Sequence, residues 1–275
     1  MGIFMFADTH NHTCHFSPDA EMTIDELISS AADRKIGIVG ITEHYEYDNP
    51  DPTDIIGTFD LEEYGKAFEE WKKKAGDIIL LKGIEFGYQT HTAEIIDKIS
   101  SENSFDQVIL SNHLFRGLDV YFSKECYLVD RITRHKEYIG KMAEMADKCR
   151  NYDIIGHYDY VNRFNPVKEE TVFYEDCKKE FDDLFEVMIS KEKALEINTR
   201  SIESQIRRFS PYIMPDKAVL KRYLDMGGKL ISLGSDSHSS ETLGIHFRKT
   251  CEYLKMNGVN EVVYFKDRKP LLLTI

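Results

Sequence analysis

The chain is poor in several features that would otherwise direct its reading. Its five cysteines, Cys14, Cys126, Cys149, Cys177 and Cys251, are odd in number and form no C-x-x-C pair. This argues against a disulfide framework or thiol zinc motif and favours free thiols in a reducing cytoplasm. No apolar run reaches membrane-spanning length, so no membrane partner is expected. Met1 to Phe6 is apolar, but it is too short for a signal-peptide core and lacks a basic leader. Gly/Ser linkers, Pro-rich stretches, low-complexity segments and fixed-period repeats are also missing. One domain spanning 1–275 is therefore expected. Basic excess is absent too: the formal net charge is −13. That balance excludes nucleic-acid binding through a broad basic surface, while leaving room for a local anion site.

Apolar residues make up 42% of the chain, enough for a sizeable core. Short apolar runs recur, each followed by a segment of helical periodicity. This order predicts a parallel sheet wrapped by helices, an α/β barrel. Strands are expected at Met5 to Asp8, Gly37 to Thr42, Ile78 to Phe86, Gln107 to Ser111, Ile154 to Gly156, Ala194 to Ile197 and Lys229 to Gly234, with a further one at Glu261 to Tyr264. Thr23-Ile24-Asp25-Glu26 reads as a capping box opening a helix through Arg34, ended by Gly37. Other helices are expected at Leu61 to Lys74, Asp130 to Cys149, Glu169 to Lys191, Asp216 to Met226 and Thr242 to Asn257.

Chemistry-bearing residues stand where these strands end. In Asp8-Thr9-His10-Asn11-His12 the two histidines share one face of an extended chain and can grip one ion together. Asp8 lies on that face and is expected to orient an imidazole. The second strand ends in Glu43-His44, the fourth in Asn112-His113, the fifth in Gly156-His157 and the seventh in Ser235-Asp236-Ser237-His238. Glu85, flanked by apolar residues and glycines at the end of the third, needs a cation or a buried partner. In a parallel barrel these ends converge on one mouth.

The ligand candidates are His10, His12, Asp19, His44, Glu85, His113, His157, Asp236 and His238. They are too many for one ion and fit two or three divalent metals, with nitrogen and oxygen donors that suit zinc, manganese or iron. Cys14 near the histidines reads as a small filler or a soft ligand. Arg163 and Arg200, on loops after the fifth and sixth strands, form a natural fork for a phosphate monoester, the expected small-molecule partner.

These motifs, with Ser17-Pro18-Asp19, Gly83-Ile84-Glu85-Phe86-Gly87, Glu196-Ile197-Asn198-Thr199 and a closing Tyr264 to Pro270, resemble those of the polymerase and histidinol phosphatase (PHP) superfamily, in particular its histidinol-phosphatase branch. The resemblance implies a distorted, TIM-like (β/α)7 barrel with a trinuclear metal site at the C-terminal ends of the strands. It gives His10, His12, Glu85 and Asp236 to a first metal, and Glu85, His113 and His157 to a second. Asp19, His44 and His238 then hold the third. Asp19 stands seven residues after His12, where the family's ligand usually stands six after, which leaves His15 as a substitute. The implied activity is hydrolysis of L-histidinol phosphate to L-histidinol and inorganic phosphate, a step of histidine biosynthesis, by attack of a metal-bound hydroxide. Asp19 or His238 would supply the leaving group's proton. A phosphoesterase acting on nucleotides and a non-catalytic metal-binding sensor are the alternatives. The oligomeric state is not legible.

Overall fold

The computed structural model describes residues 6–50, 55–166, 171–209 and 216–275, without the side chains of 205–209. Seven parallel strands form one sheet: β1 (Phe6–Asp8), β2 (Ile36–Tyr45), β3 (Ile79–Gly87), β4 (Gln107–Ser111), β7 (Ile154–Ile155), β8 (Ala194–Asn198) and β9 (Ile231–Gly234). The sheet closes on itself just beyond β1, where Thr9 N–H donates to the Leu233 carbonyl at 2.9 Å and Asp236 N–H to that of His10 at 2.8 Å. β2 is buried along nearly its whole length, as a parallel strand covered on both faces must be.

Helices α1 (Ile24–Arg34), α2 (Leu61–Lys74), α3 (Ala93–Glu102), α4 (Arg131–Lys148), α5 (Lys178–Ser190), α6 (Thr199–Phe209), α7 (Lys217–Asp225) and α8 (Phe247–Met256) alternate with the strands. The Thr23 capping box is present. Its helix ends on Lys35 in the left-handed region at φ 61°, however, and Gly37 belongs to β2. The long α5 expected from Glu169 begins at Lys178, because Cys177 has φ −145° and breaks the helical path. Residues 167–170, like Met5 of the first expected strand, lie outside the described residues. The helix expected from Thr242 starts five residues later, since Gly244 and His246 both have positive φ.

Two hairpins complete the chain. Leu114–Phe115 (β5) pairs with Leu118–Asp119 (β6) across Arg116-Gly117, and Glu261–Lys266 (β10) with Lys269–Thr274 (β11) across Asp267-Arg268. All four turn residues have positive φ, the conformation that a tight two-residue hairpin needs.

The β10/β11 hairpin caps the N-terminal end of the barrel. Val263 and Phe265 pack on Ile109, Ile154 and Ala194, and Tyr264 and Leu273 on Ala7, Ile38 and Leu81. Arg268 Nε reaches the buried Asp153 carboxylate at 2.5 Å. Apolar packing thus closes one end of the barrel and leaves the other for polar side chains. No helix among the described residues is long and apolar enough to cross a membrane.

Candidate metal centre

At the C-terminal ends of the strands the chain stays extended past β1, so His10 and His12 project to the same side. Glu85, fully buried near the end of β3, is the hub. His157 Nε2 lies 2.9 Å from Glu85 Oε1, and His10 Nε2 and His113 Nε2 lie 3.3 Å from the same oxygen. On the other oxygen, His44 Nδ1 is 2.7 Å and His12 Nε2 3.6 Å from Glu85 Oε2. Ser111 Oγ donates to Oε1 at 2.6 Å. Asp236 closes the group from beyond β9, its Oδ1 3.3 Å from His12 Nε2.

The outer edge is formed by His44, His238 and Asp19. Asp19 Oδ2 lies 2.8 Å from His238 Nε2 and 3.7 Å from His44 Nε2. Its loop is anchored by Glu43, which accepts from Ser17 Oγ at 2.6 Å, while Ser17 Oγ in turn accepts the His44 N–H. His15 instead turns outward, its ring 5.3 Å from that of Trp71, and exposed Cys14 lines the same outer depression. The structure brings Asp19, and neither of those two, to the cluster.

Charge inside this pocket is strongly coupled. Burial pushes Glu85 upward, but the charges of His10, His113 and His44 outweigh it and hold the carboxyl well below its usual range. Burial is likewise outweighed at Asp236, by Arg163, His10 and Arg200. Such mutual compensation still leaves donors unused. His10 Nε2, His12 Nε2, His44 Nδ1, Glu85 Oε2 and Asp19 Oδ1 are buried without a hydrogen-bond partner, His44 Nδ1 being near Glu85 Oε2 but not aligned with it. Nitrogen and carboxylate donors clustered within 4.8 Å of one another, in groups such as His10, His12 and Glu85 or His12, His44 and His238, can hold divalent cations. The donor set fits them.

Both arginines border the cluster, and neither stands free. Arg163, only 3% exposed, places Nη1 2.5 Å from Asp236 Oδ2 and Nη2 3.1 Å from Asn198 Oδ1. Arg200 lies in the first turn of α6, not on a loop. It donates to the Asp236 carbonyl at 2.9 Å and touches His238 Nδ1. The two line one small cavity with Asp19, His44, His113, His157, Asp236 and His238, walled by Ile56, Tyr121, Phe122 and Phe164.

Asp8 does not orient an imidazole. Its carboxylate accepts from Ser235 Oγ at 2.5 Å and from the N–H groups of Ser235 and Gly244, and burial pushes its pKa up to about 6. The carboxylates that do face imidazoles are Glu196, 2.8 Å from His10 Nδ1, and Glu46, 2.6 Å from His113 Nδ1. Neither was singled out for such a role by the sequence. Leu195-Glu196-Ile197 nevertheless carries the apolar flanking that marked Glu85, and Glu46 shares the strand face of His44.

With this geometry in hand, comparison with known proteins is informative. A family model described as the PHP domain matches residues 8–200. The chain belongs to the PHP-domain family. Asp236 and His238 lie past the matched segment of this PHP domain and join it in space. The chain is 30% identical to the probable histidinol-phosphatase of Clostridium acetobutylicum over 263 residues, covering 95% of this chain and 98% of that protein. It is 28% identical to the histidinol-phosphatase of Lactococcus lactis, covering 95% of each. The crystal structure of histidinol phosphate phosphatase from Lactococcus lactis, complexed with zinc, L-histidinol and phosphate, superimposes with a TM-score of 0.83 at 26% identity, covering 96% of this chain and 98% of that one. The seven-stranded barrel with alternating helices therefore closely matches the structure of that Lactococcus lactis enzyme.

Proposed function

We propose that this chain is a metal-dependent phosphomonoesterase that hydrolyses L-histidinol phosphate to L-histidinol and inorganic phosphate. The observation that carries the reading is the meeting of two guanidinium groups, Arg163 and Arg200, with a cation-binding donor cluster in one cavity. A phosphate ester is the substrate class that uses both. Its relatives over 95% of the chain point to histidinol phosphate among such esters.

His10, His12, Glu85 and Asp236 would hold one cation, Glu85 bridging to a second at His113 and His157, and Asp19, His44 and His238 would hold a third. When bound, two or three divalent cations (zinc, manganese or iron) lower the pKa of a water and polarise phosphoryl oxygens. The chain's own groups do the rest. Arg163 and Arg200 orient the phosphoryl group and spread its charge, Arg163 being fixed by Asn198 and Asp236. Of the outer pair Asp19 and His238, whichever is not taken up as a ligand would hand a proton to the leaving oxygen.

Tyr121, Phe122 and Phe164 give an aromatic wall against which an imidazole can pack. Asp119, lining the same cavity and 3% exposed, offers a carboxylate to a cationic substrate end. The net charge of −13 supports a small ester over a nucleic-acid polymer. Five free cysteines support the cytoplasm as the compartment.

The test is release of inorganic phosphate from L-histidinol phosphate and, in parallel, from nucleoside monophosphates. A preference for histidinol phosphate of about 100-fold or more in kcat/KM is expected, because a nucleotide leaves the site's polar groups mispaired. A nucleotide preference would reverse the assignment.

A further inference from the structure

His10 and His113 differ from their neighbours in what lies behind them. His10 Nδ1 faces Glu196 Oε1 at 2.8 Å, and His113 Nδ1 faces Glu46 Oε1 at 2.6 Å. Both carboxylates are buried. In each ring the other nitrogen, Nε2, points to Glu85 Oε1 at 3.3 Å. A carboxylate against Nδ1 holds the proton there and leaves Nε2 as a lone-pair donor aimed at the centre. Among the other rings, His44 Nδ1 does lie 2.7 Å from a carboxylate, but that carboxylate is Glu85, the hub of the cluster itself, and His12, His157 and His238 have no carboxylate hydrogen-bonded at Nδ1. His12 Nδ1 has the Ser17 hydroxyl at 3.5 Å, His157 Nδ1 has no hydrogen-bond partner, and His238 Nδ1 meets the Asp236 carbonyl at 3.0 Å.

Two glycines reveal what the backing requires. A Cβ on Gly87 would stand 1.8 Å from Glu46 Oε2, and one on Gly234 would stand 2.0 Å from Glu196 Oε1. Neither glycine has a positive φ, so the backbone itself does not demand glycine at either position. Space for a carboxylate does at Gly87, and at Gly234 that space is shared with the His10 Cβ, which would stand 2.7 Å away.

From this twice-repeated arrangement we propose that Glu46 and Glu196 are positioning residues that fix the tautomers of His113 and His10 for cation binding, and that Gly87 and Gly234 exist to seat them. The inference rests on the metal-dependent reading above and extends it to four residues outside the ligand set. Glu196 has a second task, since its Oε2 accepts the His157 N–H at 2.7 Å. Glu46 is therefore the cleaner probe.

The test is zinc affinity by competition with a chelating dye, for the full chain and for Glu46→Gln and Gly87→Ala, each also made in a His113→Ala background. The melting temperature of every metal-free protein is recorded alongside. Glu46→Gln and Gly87→Ala should each weaken zinc binding by about 10- to 100-fold. The metal-free melting temperature of Glu46→Gln should stay near that of the parent, and in the His113→Ala background Glu46→Gln should bring no further loss. Should Glu46→Gln not fold, Gly87→Ala in the two backgrounds carries the same comparison. A zinc-binding parent with an indifferent Glu46→Gln, or an equal loss without His113, overturns the proposal alone. A parent that binds no zinc overturns the metal-dependent reading and this inference with it.

Discussion

His157 Nε2 lies 2.9 Å from Glu85 Oε1, although the two residues are 72 positions apart and sit at the ends of different strands. That approach defines the centre of the pocket, because four further imidazoles crowd the same carboxylate. A carboxylate so surrounded is suited to bridging cations.

Replacing Glu85 by Gln keeps its size and removes its charge. Zinc content per chain should fall, and phosphate release should drop by about 100-fold or more, since Lewis-acid assistance is worth several kcal/mol and each ~1.4 kcal/mol is tenfold. Unchanged metal content and turnover would remove Glu85 from its bridging role.

The two arginines should respond differently. Arg200 is 31% exposed, and Arg200→Ala should raise KM about tenfold with little effect on melting temperature. Arg163 is buried against Asp236, so Arg163→Ala should raise KM and also destabilise the metal-free protein by roughly 1–3 kcal/mol, the cost of its lost charged hydrogen bonds to Asp236 and Asn198, while Arg200 still faces Asp236. Zinc should recover part of that loss by neutralising Asp236. Calorimetry with and without zinc reads the difference, and identical behaviour of the two variants would refute it.

Much of this arrangement was legible in the sequence because strand ends carry their own signal. β4 and α2 have the bounds expected from their patterns, and the candidate ligands from His10 to His238 meet in one cluster of neighbouring donor atoms. What stayed hidden has physical reasons. Helices α3 and α6 were missed although Ala93, Ile96 and Ile99 in one, and Ile202, Ile206 and Phe209 in the other, stand at helical spacing; both are short, and α6 follows β8 with no intervening turn signal. The hairpin turns at Arg116-Gly117 and Asp267-Arg268 lack the Asn-Gly or Asp-Gly signature. Asp8 pointed away from the imidazoles because Ser235 and Gly244 offered it three N–H and O–H donors.

Arg268 explains why the closing segment carries a charged turn. It pairs with Asp153, whose pKa is raised by burial despite the guanidinium. Arg268→Ala should cost about 1–3 kcal/mol near neutral pH. Because the folded-state pKa of Asp153 is above its unfolded value, its ionisation lowers stability as pH rises above about 4, and removing Arg268 raises that pKa further. The gap in melting temperature between parent and variant should therefore narrow on acidification from pH 8 to 5. A gap that widens would contradict the sign.

Chelation should lower the melting temperature of the protein, and zinc should restore it, because cations that bind the folded cluster stabilise it by about 4 kcal/mol at a thousandfold excess over Kd. Scanning calorimetry of chelated and zinc-loaded samples reads this. A melting temperature indifferent to zinc would leave the cluster's unused donors without an explanation.

The most direct test is anomalous diffraction from a crystal of zinc-loaded protein soaked with phosphate. Zinc peaks are expected around Glu85 within reach of His10, His12, His113 and His157, with the phosphate held between them and the guanidinium groups of Arg163 and Arg200. An empty cluster, or phosphate bound away from both arginines, would contradict the account.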